Sequence, residues 1–136
     1  MNVEIFSLCD HATDNHGKLT VCGTFDCIHA PQFPVVHAHC SIAGRLRFQR
    51  SEEGKHHIRI MLVDGDGRLL IPKFEREIVS RCAEGMDTAT ANLVLDLNNL
   101  PVPSKGTFYW DLVIDGQLVS RLPMYTREIS ITQQAA

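Results

Sequence analysis

The chain has 136 residues, 44% of them hydrophobic, with 13 lysines and arginines against 16 aspartates and glutamates. That length fits one domain with a core of its own, and a net charge of −3 supplies no basic field for holding nucleic acid. Apolar runs such as 60–63 are far too short to cross a bilayer as a helix, and the start shows no secretory pattern. In chain order, residues 3–9 read as a first strand, with Val3, Ile5, Ser7 and Cys9 on one face and Phe6 and Leu8 on the other. The turn cluster Thr13-Asp14-Asn15-His16-Gly17 leads into a second strand at 18–25, which predicts an opening hairpin. Pro31 and Pro34 cannot donate ladder hydrogen bonds, so 30–36 is an extended crossover or a sheet edge.

Residues 39–48 form the longest expected strand, with Cys40, Ile42, Gly44, Leu46 and Phe48 inward and Ser41, Arg45 and Arg47 outward. A charged turn at 51–55 precedes a return strand at 56–63 that buries Ile58, Ile60 and Leu62. Asp64-Gly65-Asp66-Gly67 then predicts a hairpin onto 68–71, and after Pro72 residues 74–79 make a short exposed strand. Residues 81–88 carry no periodicity, and alternation resumes over 91–97 through Leu93 and Leu95. From Gly106, Phe108, Trp110, Leu112 and Ile114 alternate with Tyr109, Asp111 and Val113 up to Asp115-Gly116, beyond which Leu118 starts a second alternating run. An Asp-Gly pair between period-2 segments is a strong hairpin signal, and it assigns Phe108 and Trp110 to the core. Alternation resumes over 124–131 after Pro123, and 133–136 reads as a frayed tail behind a single domain spanning 1–132. No stretch repeats at helical spacing. About eight strands, with turns every ten residues or so, predict an all-β protein. The expected architecture is an antiparallel β-sandwich, immunoglobulin-like or jelly-roll-like.

Three segments carry a resemblance: Leu8-Cys9-Asp10 with Gly17-Lys18-Leu19, Gly23-Thr24-Phe25-Asp26 running into Ala30-Pro31-Gln32-Phe33-Pro34, and 106–125. Together they resemble an uncharacterised family of small bacterial single-domain proteins, classed as a domain of unknown function, over about residues 4–127. The resemblance implies a β-sandwich in a bacterial cytoplasm and brings no catalytic residues with it.

Five cysteines, an odd number without an export signal, point to reduced thiols in a cytoplasm. Cys27, His29, His37 and His39 raise the possibility of a zinc site, since a His-x-His pair on a strand aims both imidazoles to one side. The spacing matches no common zinc module, and solvent-facing histidines explain the pattern more simply. Cys9-Asp10-His11 suggests a thiol nucleophile, but adjacent strand residues face opposite ways and no oxyanion-hole pattern accompanies them. Asp64-Gly65-Asp66-Gly67 lacks the remaining acids of a calcium loop and reads as a turn. Arg45 and Arg47 could clamp an anion or a partner carboxylate, or be matched by Glu75 or Glu77 across strands. Tyr109, Val113, Met61 and Val63 lie on faces expected to point outward, and together they would form an apolar patch for self-association rimmed by the two arginines. The resulting expectation is a non-enzymatic binding module without a cofactor, pairing with protein and with itself rather than with nucleic acid or membrane. The alternatives are a zinc- or thiol-dependent activity and a carbohydrate-binding sandwich, the latter weakened because the single tryptophan alternates toward the core.

Overall fold

A computed structural model describes residues 1–130, so the expected tail at 133–136 lies outside the described residues. Alternation in sequence becomes strand throughout: β1 is Asn2–Asn15, β2 Lys18–Thr24, β3 Cys27–Ala30, β4 Val35–Gln49 and β5 Gly54–Val63. Then come β6 at Phe74–Ser80, β7 at Thr88–Val102, β8 at Gly106–Ile114 and β9 at Gln117–Glu128. Among the described residues the sole helical piece is a 3₁₀ turn at Arg50–Glu52. Four strands join in the order β2-β1-β4-β7 and five in the order β3-β9-β8-β5-β6. All neighbours are antiparallel except β3 and β9, which run parallel.

The inward sets of the two sheets meet in one core. Ile42, Leu46, Phe48, Leu93 and Leu97 from the four-stranded sheet pack with Ile58, Ile60, Leu62, Trp110, Leu112 and Met124 from the five-stranded one. Phe108 and Trp110 are buried as their alternation predicts. The terminal hairpin turns at Asp115 and Gly116, with φ values of 50° and 83°. Both central residues of a type I′ turn need such a conformation, and Asp and Gly tolerate it.

Several expectations are corrected. The described residues hold nine strands rather than eight, because Cys27–Ala30 adds a short strand beside β9. The expected strand at 68–71 is a single bridge between Val63 and Leu69. Here the Asp64 carboxylate accepts the backbone N–H groups of Asp66 and Arg68, each at 2.9 Å, which closes the turn locally. Pro123 does not interrupt β9. The parallel ladder with β3 begins at Tyr125, so the N–H that proline lacks has no partner to miss on that side. In β1 the register slips between Val3 and Ile5. Val3 therefore packs against the core with Phe6, and the expected common face of Val3 and Ile5 is broken.

Beyond Cys9, β1 leaves β4 and continues with β2 alone. Cys9 is level with Ser41, yet the hairpin tip returns to the level of Arg45: Asn92 Nδ2 donates to Asp14 Oδ1 and to the Gly17 carbonyl, both at 3.1 Å. The β1–β2 arm thus folds back across the outer face of its own sheet. Cys9, Ala12 and Ala43 form a small second core there, packed by Leu19, Val21 and Val94.

Candidate functional site

The outer face of the four-stranded sheet carries Arg45 and Arg47, which lie level with β1. The extra residue at the β1 register slip, Glu4, receives both of them. Arg45 Nε donates to Glu4 Oε1 at 3.0 Å and Arg47 Nε to Glu4 Oε2 at 2.6 Å. The Arg47 hydrogen bond leads in holding the Glu4 carboxyl below the usual glutamate range. Arg45 also reaches Asn92 Oδ1 at 3.0 Å, and Arg47 reaches Thr88 Oγ1 at 2.9 Å. The expected partners Glu75 and Glu77 lie on the other sheet, where Glu75 sits 3.5 Å from Arg59 and 3.7 Å from Lys73. Spacing could not reveal Glu4 as the partner, because its placement depends on the slip.

The outer face of the five-stranded sheet holds the expected apolar patch, and the structure corrects it. Val63 is 4% exposed and Val113 is 7% exposed, while Met61 and Tyr109 are half-buried. Val63 stands opposite Tyr109 and bridges Leu69, and Val113 stands between Arg59 and Leu118. A valine flanked by longer side chains on a central strand is screened from water without any partner. Arg121 covers Tyr109, its guanidinium 4.9 Å from the ring centroid. The same guanidinium makes two hydrogen bonds to the buried carboxylate of Asp111, at 2.6 and 2.8 Å. Arg45 and Arg47 belong to the opposite outer face of the molecule, so they cannot rim this patch.

The histidine and cysteine set is likewise dispersed. Cys27 and His29 are on β3, in register with Tyr125 and Arg127. His37 and His39 are on β4 in the other sheet; the His37 ring lies 5.7 Å from Phe25, and His39 Nδ1 bonds Asn98 Oδ1 at 2.9 Å. Among the described residues no group of three or more His, Cys, Asp or Glu side chains is arranged to hold a metal ion. Burial pushes the Cys9 thiol above its ordinary pKa, and its Sγ donates to the Ser41 carbonyl at 3.5 Å. A buried, protonated thiol is a poor nucleophile. Trp110 is fully buried and offers no sugar-stacking surface.

Several polar side chains elsewhere are also paired inside the chain. His56 Nδ1 meets Asp115 Oδ2 at 2.7 Å, its Nε2 meets the Glu52 carbonyl at 2.6 Å, and its ring stacks on Phe48. The buried Ser41 hydroxyl donates to Asp96 at 2.7 Å. Among the described residues a few buried side-chain atoms lack partners, including Ser7 Oγ, Ser80 Oγ and Trp110 Nε1, and the sheet edges leave backbone groups open. Four strands form the sheet edges: β2, β7, β3 and β6. β3 has 4 residues, β6 carries Glu75, Arg76 and Glu77, and β2 belongs to the folded-back arm. β7 has 15 residues, and over 88–100 Asp96 is its single charge and no proline occurs. Long edges are commonly blunted by lysine, proline or brevity; here Pro101 stands near the end of the strand, and over 88–100 neither lysine nor proline occurs. Beside it, Leu93 and Leu95 of β7 face Ile58, Ile60 and Phe74 of the other sheet across a cavity of about 190 Å³. Sequence reasoning found the alternation of β7 but not its position at an edge, which depends on strand order.

No curated protein and no solved structure matches the chain. Residues 4–127, which include every strand core described above, match the model of a family of unknown function, DUF6941, and the chain belongs to that family.

Proposed function

We propose that the protein is a non-enzymatic, immunoglobulin-like β-sandwich that works by accepting a protein strand at the edge of β7. The supporting observation is the coincidence of an edge strand that has a single charge and no proline over 88–100 with a mainly apolar cavity bordered by that same strand. An added strand gains main-chain hydrogen bonds from the edge and specificity from alternate side chains placed in such a recess. The strand order favours the immunoglobulin alternative over the jelly roll. The order β1-β4-β7 corresponds to A-B-E, and β9-β8-β5-β6 corresponds to G-F-C-C′. In that arrangement strand D sits beside E, and among the described residues nothing occupies the corresponding place beside β7.

The reading assigns the molecule to a bacterial cytoplasm and gives it no cofactor. All five cysteines are free thiols, as in a reducing compartment, and no helix among the described residues is long and apolar enough to cross a membrane. Thr90, an exposed residue of β7, is the place to test it. A photo-crosslinking Thr90→benzoylphenylalanine protein, irradiated in extract of the native host, should give discrete protein adducts. The same group at Gln117, on the far hairpin turn, serves as control. Absence of adducts above that control overturns the proposal.

A further inference from the structure

We infer that the strand received by β7 is the β7 of a second copy, paired antiparallel about a two-fold axis at Val94; the inference rests on the edge-binding reading above. The charge-poor stretch 88–100 overlaps a second copy of itself over its whole length in one register alone, the one centred on Val94. Directly opposed residues in an antiparallel pair share a face, so inward residues must meet inward residues. This register obeys that rule: Leu93 meets Leu95 and Ala91 meets Leu97 inside, while Thr90 meets Asn98 and Asn92 meets Asp96 outside. The competing register centred on Asp96 would set two carboxylates face to face, which is unfavourable. In the register centred on Val94, Asp96 instead stands opposite the neutral Asn92, so no like charges meet.

The inward leucines also explain the cavity. Leu93 and Leu95 border the space shared with Ile58, Ile60 and Phe74, and the partner's Leu95 and Leu93 would arrive beside them to close it. The four-stranded sheets of two copies would then fuse into one sheet of eight strands. The pairing is isologous, so both open edges are used at once and no growing filament results. The remaining edges are short, charged or part of the arm, so association stops at the dimer. A foreign strand would need the same alternation and the same poverty of charge, which the chain already carries in β7 itself.

Sedimentation velocity at tens of micromolar, with two paired double variants, tests this. Thr90 and Asn98 are both exposed, so charges there leave the core alone. Across the axis, Thr90→Lys with Asn98→Lys sets lysine against lysine twice. Thr90→Lys with Asn98→Glu sets lysine against glutamate twice. Wild type should sediment as a dimer, the Lys/Lys protein should dissociate with a Kd raised about tenfold or more, and the Lys/Glu protein should stay dimeric. A monomeric wild type, or an equal response of the two variants, overturns the inference. If wild type is monomeric while the Thr90 crosslinker still captures a different protein, the self-pairing is wrong and the edge-binding reading stands. If neither dimer nor adduct forms, both are wrong.

Discussion

Replacing Trp110 separates what its ring contributes by filling space from what its N–H contributes. Trp110 is fully buried at the centre of β8, between Leu62 of β5 and Leu122 of β9 in the ladder. Its Nε1 has no hydrogen-bond partner among the described residues. Trp110→Ala therefore loses the transfer energy of the whole ring and leaves a cavity, at a cost of about 3–5 kcal/mol. That is a large share of the roughly 5–15 kcal/mol that holds a domain of this kind together. Trp110→Phe removes only part of the ring and also removes a buried donor whose desolvation costs about 1–3 kcal/mol. The two effects oppose each other, so the net loss should be no more than about 1–2 kcal/mol. Urea titrations followed by circular dichroism measure both variants, since each lacks the protein's single tryptophan fluorophore. An unchanged m-value would show that the folded and unfolded states are otherwise the same. A phenylalanine variant as unstable as the alanine variant would refute the account of the indole. An alanine variant within about 1 kcal/mol of wild type would refute the packing itself.

The His56–Asp115 pair should give stability a defined pH response. Burial works against charge on His56, but the hydrogen bonds to Asp115 and to the Glu52 carbonyl outweigh it and raise its pKa above the ordinary histidine value. The bond from His56 leads in lowering that of Asp115. A raised histidine stabilises below its unfolded pKa and loses that contribution as pH rises through the folded value; a lowered carboxylate stabilises above its unfolded pKa and loses it as pH falls. The pair therefore contributes most between about pH 4 and 6.5, and Asp115→Asn, which tolerates the turn's positive φ, should flatten the fall in Tm from pH 6 to 8. An unaltered pH profile would remove the pair from the account. Alkylation of the native protein should label the exposed Cys22 first and spare Cys9 and Cys40 until denaturant is added, since both are fully buried and burial pushes the Cys40 pKa up to about 11. Rapid native labelling of Cys40 would contradict its placement in the core. Gly23→Ala should destabilise by about 1–3 kcal/mol in the same urea assay, because φ is +71° and an added Cβ would stand 2.6 Å from Asp10 Oδ2. Gly17→Ala shares the positive φ but meets nothing within 4 Å and should cost less; equal losses would mean that the contact with Asp10 is relieved by movement.

What could be read in the sequence was local. Period-2 alternation located most strands, and Asp115-Gly116 and His16-Gly17 marked their turns through the positive φ that such residues accept. What could not be read depends on events between distant strands. One register slip in β1 turns Glu4 outward and makes it the counterion of two arginines some forty residues away. The folding back of the β1–β2 arm buries Ala43, on a face that alternation assigns to solvent, together with Cys9. Val63 and Val113 do point to the outer face, as read, but alternation tells direction and not coverage, and their neighbours across the ladder are longer than they are. The same distinction bears on β7. Its run of leucine, valine, alanine and threonine with a single acid reads in isolation as an ordinary half-buried strand, and in the middle of a sheet it would be one. Placed last in the order β2-β1-β4-β7, the same residues present a row of backbone donors and acceptors, and over 88–100 neither lysine nor proline stands among them. Composition that is neutral at the centre becomes adhesive at the edge. Strand order, which no single segment encodes, is therefore what leaves the backbone of β7 open along one side.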